Sequence, residues 1–323
     1  MPANEDVNVA PGDVLAGKYR VLRQIGRGGM GVVVEAVNER LGEHVAIKVL
    51  HDRYRENAEA MGRFSREARA AVRVRGEHSV RVLDVGETAS RAPFLVMELL
   101  EGMDLATVLR QGPIPVDQAV LYVLEACVGV AEVHATGIVH RDVKPGNLFL
   151  THRSDATPLV KVLDFGIAKT ALPDEADRAA MTQTLVALGT PLYMAPEQVR
   201  SARTVDARAD VWSLGAILYE LVAGIPAFGG NTVANITAQI LEATPASLTL
   251  LRAGVPAKLD KVVQTALAKK PEHRYGDVAQ LAAALAPFAP AEGAALAERA
   301  ARTLRGEGRA ITSPGSISAV TAD

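Results

Sequence analysis

The chain has 323 residues, 49% of them hydrophobic and 22% charged, which suits a packed, two-lobed protein and excludes a disordered one. Lys and Arg total 35 against 37 Asp and Glu, so no basic field points to nucleic acid as a partner. A single cysteine excludes a disulfide framework; with no signal-like start and no apolar run long enough to span a membrane, the sequence reads as a soluble, cytoplasmic protein.

Residues 1–17 are polar and broken by Pro and Gly, which predicts a flexible N-terminal tail. Tyr19 to Ile25 reads as a strand running into Gly26-Arg27-Gly28-Gly29-Met30-Gly31. That glycine pattern also occurs in dinucleotide-binding turns, where a helix must follow it. Here Val32 to Val37 is β-branched and predicts a second strand. Strand, glycines and strand make a hairpin flap whose backbone N–H groups can approach phosphates because no Cβ intrudes.

Val45 to Leu50 is the next strand. Alternation puts Val45, Ile47 and Val49 on one face and Ala46, Lys48 and Leu50 on the other. A lysine on an apolar face needs a counter-charge. Helical spacing over Met61 to Val72 offers Glu67, on the stripe of Ala60, Phe64 and Ala71, as that partner. Pro93 to Leu100 then reads as a strand entering a connector at Glu101-Gly102.

Ala119 to His134 is apolar enough for a buried helix, and Cys127 within it reads as a packed core thiol. His140-Arg141-Asp142-Val143-Lys144-Pro145-Gly146-Asn147 follows, where Pro-Gly forces a loop. Leu148 to Leu150 and Val160 to Leu163 predict two short strands around a polar turn, with Asp164-Phe165-Gly166 behind them. Asp142, Asn147 and Asp164 thus sit on loops at the ends of apolar elements. Phosphoryl transfer uses such a set: a carboxylate to take the hydroxyl proton, and two oxygen ligands for Mg²⁺.

Further on, Gly189-Thr190-Pro191-Leu192-Tyr193-Met194-Ala195-Pro196-Glu197 precedes an apolar helix that opens at Asp210, a candidate N-cap. His51, His78, His134 and His152 lack metal-ligand spacing and are expected to be surface or capping groups. Residues 289–323 form an Ala-rich tail, partly disordered, in which Ala294 to Leu304 could be helical.

The order of these motifs resembles the protein kinase superfamily from about Tyr19 to Phe288, in particular the bacterial (eukaryotic-like, Hanks-type) serine/threonine kinases. The resemblance implies an α+β, bilobal protein-kinase fold over 18–288. A small β-rich N-lobe with one main helix would cover 18–97, a hinge 98–102, and a larger, mostly helical C-lobe 103–288. It implies ATP with Mg²⁺, or Mn²⁺, as cofactor. Ile25, Gly26, Gly28 and Gly31 would cover the nucleotide; Val33, Ala46 and Phe149 would sandwich adenine; Met97 would lie behind it. Backbone groups of Glu98 and Leu100 would hydrogen-bond the base. Lys48, oriented by Glu67, would hold the α/β-phosphates, with Asp164 and Asn147 as metal ligands. Asp142 would be the catalytic base and Lys144 would stabilise the transferred group.

Lys144 and Thr190 are serine/threonine-type features in that family. There the counterpart of Asp210 anchors the His140-Arg141 turn, and Arg274 would pair with Glu197. One departure is Gly76-Glu77-His78-Ser79, where many members carry His-Pro-Asn; it is expected to change a loop without changing the chemistry. The resemblance further implies protein substrates and a homodimer formed through the N-lobe. Autophosphorylation is expected at Thr182 and Thr184, against cations from Arg141, Lys169 and Arg63. Alternatives of other classes are a pseudokinase scaffold, a small-molecule phosphotransferase and a nucleotide-binding oxidoreductase. The first would lack one of Lys48, Asp142 or Asp164, the second the Thr190 to Glu197 loop, and the third contradicts the strand after the glycines.

Overall fold

Period-2 alternation in the N-terminal part produces an antiparallel sheet. In the computed structural model, residues 9–28, 31–51, 58–164, 191–200 and 205–307 are described, without the side chains of residues 58–60, 63, 65 and 67. The strands are β1 (Val14–Leu15), β2 (Tyr19–Gly28), β3 (Gly31–Asn38), β4 (Glu43–Leu50), β5 (Val82–Glu87) and β6 (Pro93–Glu98), in the order β1-β2-β3-β4-β6-β5. Helix α1 (Ala58–Ala71) packs on one face.

The alternation read in β4 is realised. Val45, Ile47 and Val49 join Val21, Val34, Phe94 and Val96 in one apolar cluster. Ala46 and Leu50 join a second, with Phe64, Ala68 and Ala71 of α1. β2 and β3 form the expected hairpin, with Gly28 opposite Gly31. Gly31 is required by proximity: a Cβ there would lie 2.0 Å from the Val49 carbonyl oxygen.

The tail expected over 1–17 is corrected in its second half. Gly12 N–H donates to Val21 O at 2.8 Å and Val21 N–H to Asp13 O at 2.9 Å. Val14 and Leu15 supply the short apolar pair that docks there, and Leu15 is buried.

The C-terminal part begins with β7 (Met103–Asp104) and α2 (Leu105–Leu109), whose N-cap Asp104 accepts from Thr107 N–H at 2.7 Å. α3 (Val116–His134) is buried on nearly all sides, as its continuous apolar character requires. Burial around Cys127 pushes its thiol pKa up, as expected for a core thiol. β8 (Leu148–His152) pairs with β9 (Pro158–Val162) and with β7. Then follow α4 (Pro196–Arg200), α5 (Arg208–Ala223), α6 (Val233–Glu242), α7 (Leu248–Leu251), α8 (Ala257–Ala266), α9 (Val278–Leu285) and α10 (Gly293–Leu304). The helices bury one core around α3 and α5, in which Trp212 stacks on Phe228 at 5.2 Å.

α10 realises the helix read in the C-terminal tail, and its packing shows that this part of 289–323 belongs to the core. Leu296, Ala297 and Ala300 are buried in it. Arg299 Nη1 reaches Glu77 Oε2 at 2.7 Å, tying this helix to the loop before β5.

That loop, Gly76 to Ser79, does more than vary in sequence. Val80 N–H and Val162 N–H exchange bonds with Val162 O and His78 O, at 2.9 and 2.8 Å. Ser79 Oγ donates to Glu132 Oε2 at 2.7 Å, and Arg153 Nε to Glu77 Oε1 at 2.8 Å. Gly129 of α3 lets the loop approach, since a Cβ there would lie 2.2 Å from His78 O. Burial pulls the Glu77 carboxyl up; Arg299 and Arg153 more than offset it and leave its pKa at about 2.

Three of the four histidines expected to be surface or capping groups are core groups instead. His51 and His78 are buried, and the His134 side chain is nearly so. His78 Nδ1 donates to Val160 O at 3.1 Å, while Nε2 is buried with no partner among the described residues. Burial, reinforced by the Arg299 charge, lowers the His78 pKa from 6.5 to about 4, so the ring is neutral and its 3.9 Å approach to Glu77 is not an ion pair near neutral pH. The unfolded ring takes up a proton near pH 6.5 and the folded ring resists until about pH 4. This contribution is therefore fully present above pH 6.5 and is lost as pH falls through that window, by up to about 3 kcal/mol. Denaturant midpoints at pH 7.5 and 4.5 should fall less for His78→Gln than for the wild type. Equal declines would remove His78 from the account.

Candidate active site

The turn after α3 carries His140, Asp142 and Asn147, and it is held by one carboxylate. Asp210 Oδ2 accepts from His140 N–H and Oδ1 from Arg141 N–H, both at 2.9 Å; His134 Nε2 donates to Oδ2 at 2.7 Å. Burial alone would raise the Asp210 carboxyl, but these donors hold it below the ordinary range, so it stays ionised in the core. The expected anchoring is present; the expected N-cap role is not. Ala207 is the N-cap of α5 and Asp210 lies inside the first turn, while Asp206 Oδ1 accepts from Arg208 N–H at 2.9 Å. Anchoring lets Arg141 adopt φ +61°, a left-handed conformation unfavourable for a side chain of its size.

Asp142 follows that turn. Its Oδ2 accepts from Lys144 Nζ at 3.0 Å and from Asn147 Nδ2 at 3.2 Å. Asn147 Nδ2 also donates to Asp142 O at 2.8 Å, which leaves the amide oxygen of Asn147 as the group suited to a hard cation. Pro145 starts the 3₁₀ turn Pro145–Asn147 that delivers this asparagine. His140 Nδ1 accepts from Asp142 N–H at 3.3 Å and Nε2 donates to Leu163 O at 2.8 Å, a pairing met by the tautomer protonated at Nε2.

Leu163 N–H donates to Asn147 O at 2.8 Å, so the strand ending in Asp164 is fastened to the Asn147 turn. Asp164 has φ +50° and its Oδ2 lies 2.7 Å from Lys48 Nζ. Lys48 thus reaches across from the small sheet to the loop beyond β9. The partner expected from sequence was Glu67, whose side chain lies outside the described residues; among those described, the counter-charge is Asp164.

The oxygen donors are of the kind a hard divalent cation takes. No group of three or more His, Cys, Asp or Glu able to hold a metal occurs among the described residues. Asn147 and Asp164 would supply two hard oxygens, and Mg²⁺ commonly completes its shell with phosphate oxygens and water.

The family model described as protein kinase domain matches residues 19–285. The chain belongs to the protein kinase family. Over 275 residues it is 41% identical to the serine/threonine-protein kinase Pkn1 of Myxococcus xanthus, covering 84% of this chain and 38% of that protein. It is 39% identical to PknB of Mycobacterium leprae, covering 84% and 43%. PknL of Mycobacterium tuberculosis is 38% identical over 277 residues, covering 85% and 67%. The chain thus spans about two fifths of the length of the first two of these relatives. The solved kinase domain of Mycobacterium tuberculosis PknI superposes with a TM-score of 0.68 at 28% identity, covering 87% of this chain and 100% of that one. The bilobal kinase fold expected from sequence is therefore the fold observed.

Ala46 and Met97 are buried in one cluster, with Val33, Leu100 and Leu163 packed against it. Phe149 pairs with Lys161 in the β8–β9 hairpin and is half-buried, and Ile25 is exposed beside Gly26. The Glu98 side chain has a task not read from sequence. Its Oε1 accepts from Arg81 N–H at 2.8 Å and from Lys161 Nζ at 2.6 Å, fastening the connector to both lobes.

Residues 191–200 are docked by polar contacts. Tyr193 OH donates to Glu220 Oε2 at 2.5 Å, and Ser213 Oγ to Tyr193 O at 2.8 Å. Arg274 Nη1 and Nη2 each donate to Glu197 at 2.7 Å, the bidentate pair expected from sequence. Arg274 also reaches the carbonyls of Ala268 and Arg208 and is buried, so removing it strands a carboxylate and several acceptors. Arg274→Ala should cost about 3–5 kcal/mol of stability, read from denaturant midpoints. A loss below about 1 kcal/mol would mean that the pair is not stabilising. Thr190, Phe165, Gly166, Lys169, Thr182 and Thr184, and the Arg63 side chain, lie outside the described residues. No helix among the described residues is long and apolar enough to cross a membrane.

Proposed function

We propose that this chain is an ATP- and Mg²⁺-dependent protein kinase that transfers the γ-phosphate to serine and threonine hydroxyls of proteins. The observation that carries the reading is the convergence of Lys144 and Asn147 on Asp142 Oδ2, with Lys48 held against Asp164. An acceptor hydroxyl placed at Asp142 would give up its proton to the carboxylate, and Lys144 Nζ would stabilise charge developing on the transferred group. Asn147 and Asp164 would hold the metal, which supplies charge neutralisation at the phosphates; Mn²⁺ could take the same oxygens. Ile25, Gly26, Gly28 and Gly31 would cover the nucleotide, Val33, Ala46, Met97 and Phe149 would enclose adenine, and backbone groups of Glu98 and Leu100 would bond it. Glu67 would orient Lys48. None of Lys48, Asp142 and Asp164 is replaced, which favours catalysis over the pseudokinase scaffold.

Incubation of the purified chain with γ-labelled ATP, Mg²⁺ and a generic protein acceptor tests this. Label on serine and threonine supports it; no label at saturating ATP and Mg²⁺ refutes it. The reading includes autophosphorylation at Thr182 and Thr184, where each phosphate adds about −1.5 to −2 charge that could order its segment against Arg141, Arg63 and Lys169. Mass spectrometry should find both modified in active protein, and the double alanine variant should be slower. An unmodified segment at full activity would remove the switch. A cytoplasmic location and dimerisation through the small lobe belong to the same reading and rest on the family resemblance.

A further inference from the structure

Gln198 directly follows the Gly189 to Glu197 motif, and its side chain spans two segments. Its Nε2 donates to Arg141 O at 2.9 Å and its Oε1 accepts from Ala195 N–H at 3.0 Å. Its own N–H donates to Ala195 O at 2.9 Å, so Ala195 is gripped twice. Ala195 is the last residue before α4, and Arg141 O belongs to the peptide unit that leads into Asp142.

That peptide unit needs holding. Its orientation sets ψ of Arg141 and φ of Asp142, and so the direction in which the chain presents the Asp142 carboxylate, beside an Arg141 already held at φ +61°. Asp210 fixes the N–H side of Arg141 at 2.9 Å. The following N–H, that of Asp142, donates to His140 Nδ1 at 3.3 Å. A 2.9 Å bond from an amide held at its other end is the tighter restraint on the plane.

We infer that Gln198 is a positioning residue that sets the Arg141–Asp142 peptide plane from the 191–200 segment, so that the placement of this segment and the aim of the catalytic base are coupled. The inference rests on the kinase reading above. A glutamine suits the post because one planar amide offers a donor and an acceptor in opposite directions. Glutamate has the same reach, but its carboxylate cannot donate to Arg141 O and regains a donor only when protonated.

The experiment uses the full chain with γ-labelled ATP and a protein acceptor, comparing wild type, Gln198→Ala and Gln198→Glu. Wild-type transfer comes first: its absence would sink the kinase reading itself, and the comparison below applies once transfer is seen. The expected result for Gln198→Ala is a kcat about 10–100-fold lower, of the size that slight misplacement of a reacting group produces, with KM for ATP within about twofold of wild type. For Gln198→Glu, the kcat ratio to wild type should rise as pH is lowered from 8 to 6, while melting temperatures at each pH stay close. If Gln198→Ala does not fold, the glutamate variant decides alone. Wild-type kcat in both variants, a loss confined to KM for ATP, or a pH-independent glutamate ratio would overturn the inference.

Discussion

Asp142→Asn is expected to lower kcat by about 10²–10⁴-fold, the range for loss of a positioned general base, with little change in stability. The amide oxygen of asparagine can still accept from Lys144 Nζ and Asn147 Nδ2, which now meet Asp142 Oδ2 at 3.0 and 3.2 Å, so the local geometry survives. What disappears is the negative charge able to take a proton from an acceptor hydroxyl. KM for ATP should stay near the wild-type value, because neither Lys48 nor Asp164 touches the replaced group in the contacts described. The measurement is steady-state transfer to a protein acceptor, with thermal unfolding of both proteins alongside. Near wild-type turnover in a preparation free of other kinases would exclude Asp142 as the base.

The parts of the site legible in the sequence were those whose meaning lies in short spacing. His140, Asp142, Lys144 and Asn147 share one loop, and local chain geometry forces them together. Lys48 was legible because a charge on an apolar strand face is a conflict that only a partner resolves, although the described partner came from another loop. The hairpin of Gly28 and Gly31 was legible because β-branched residues follow the glycines.

What was not legible depends on distant pairing. Asp210 is 70 residues from His140, so its anchoring of that turn was read only through the family resemblance, and Arg299 is 222 residues from Glu77. No local pattern shows that a carboxylate in the first turn of α5 will serve another loop rather than cap its own helix. His78 looked like an ordinary polar residue because the elements that bury it, β9 and α3, come much later in the chain. α10 was legible as a helix from its alanines, but the core that covers Leu296 and Ala300 is not written in that segment. Gln198 has no apolar periodicity or charge conflict to reveal it, so its two hydrogen bonds emerge only once both segments are placed.

Lys48→Met should reduce phosphate transfer by at least about 100-fold while weakening ATP binding much less. The replacement keeps an unbranched side chain that fits the Ala46 and Leu50 face, so the sheet should be undisturbed. It removes the ammonium group that lies 2.7 Å from Asp164 Oδ2. With that cation gone, the Asp164 carboxylate loses its described counter-charge, and its left-handed backbone at φ +50° loses a side-chain restraint. Under the proposed function, loss of alignment would fall on the reacting phosphate more than on adenine, since the apolar cluster of Ala46, Val33 and Met97 proposed to enclose it is retained. Binding energy unrelated to the reacting centre lowers KM, whereas interactions sharpened in the transition state raise kcat, so the loss should appear in kcat. Fluorescent-nucleotide binding and steady-state transfer, measured on the same preparations, separate the two. A variant that transfers phosphate at the wild-type rate would show that the Lys48–Asp164 pair has no part in the chemistry, and one that loses ATP binding as steeply as turnover would place Lys48 in ground-state binding alone.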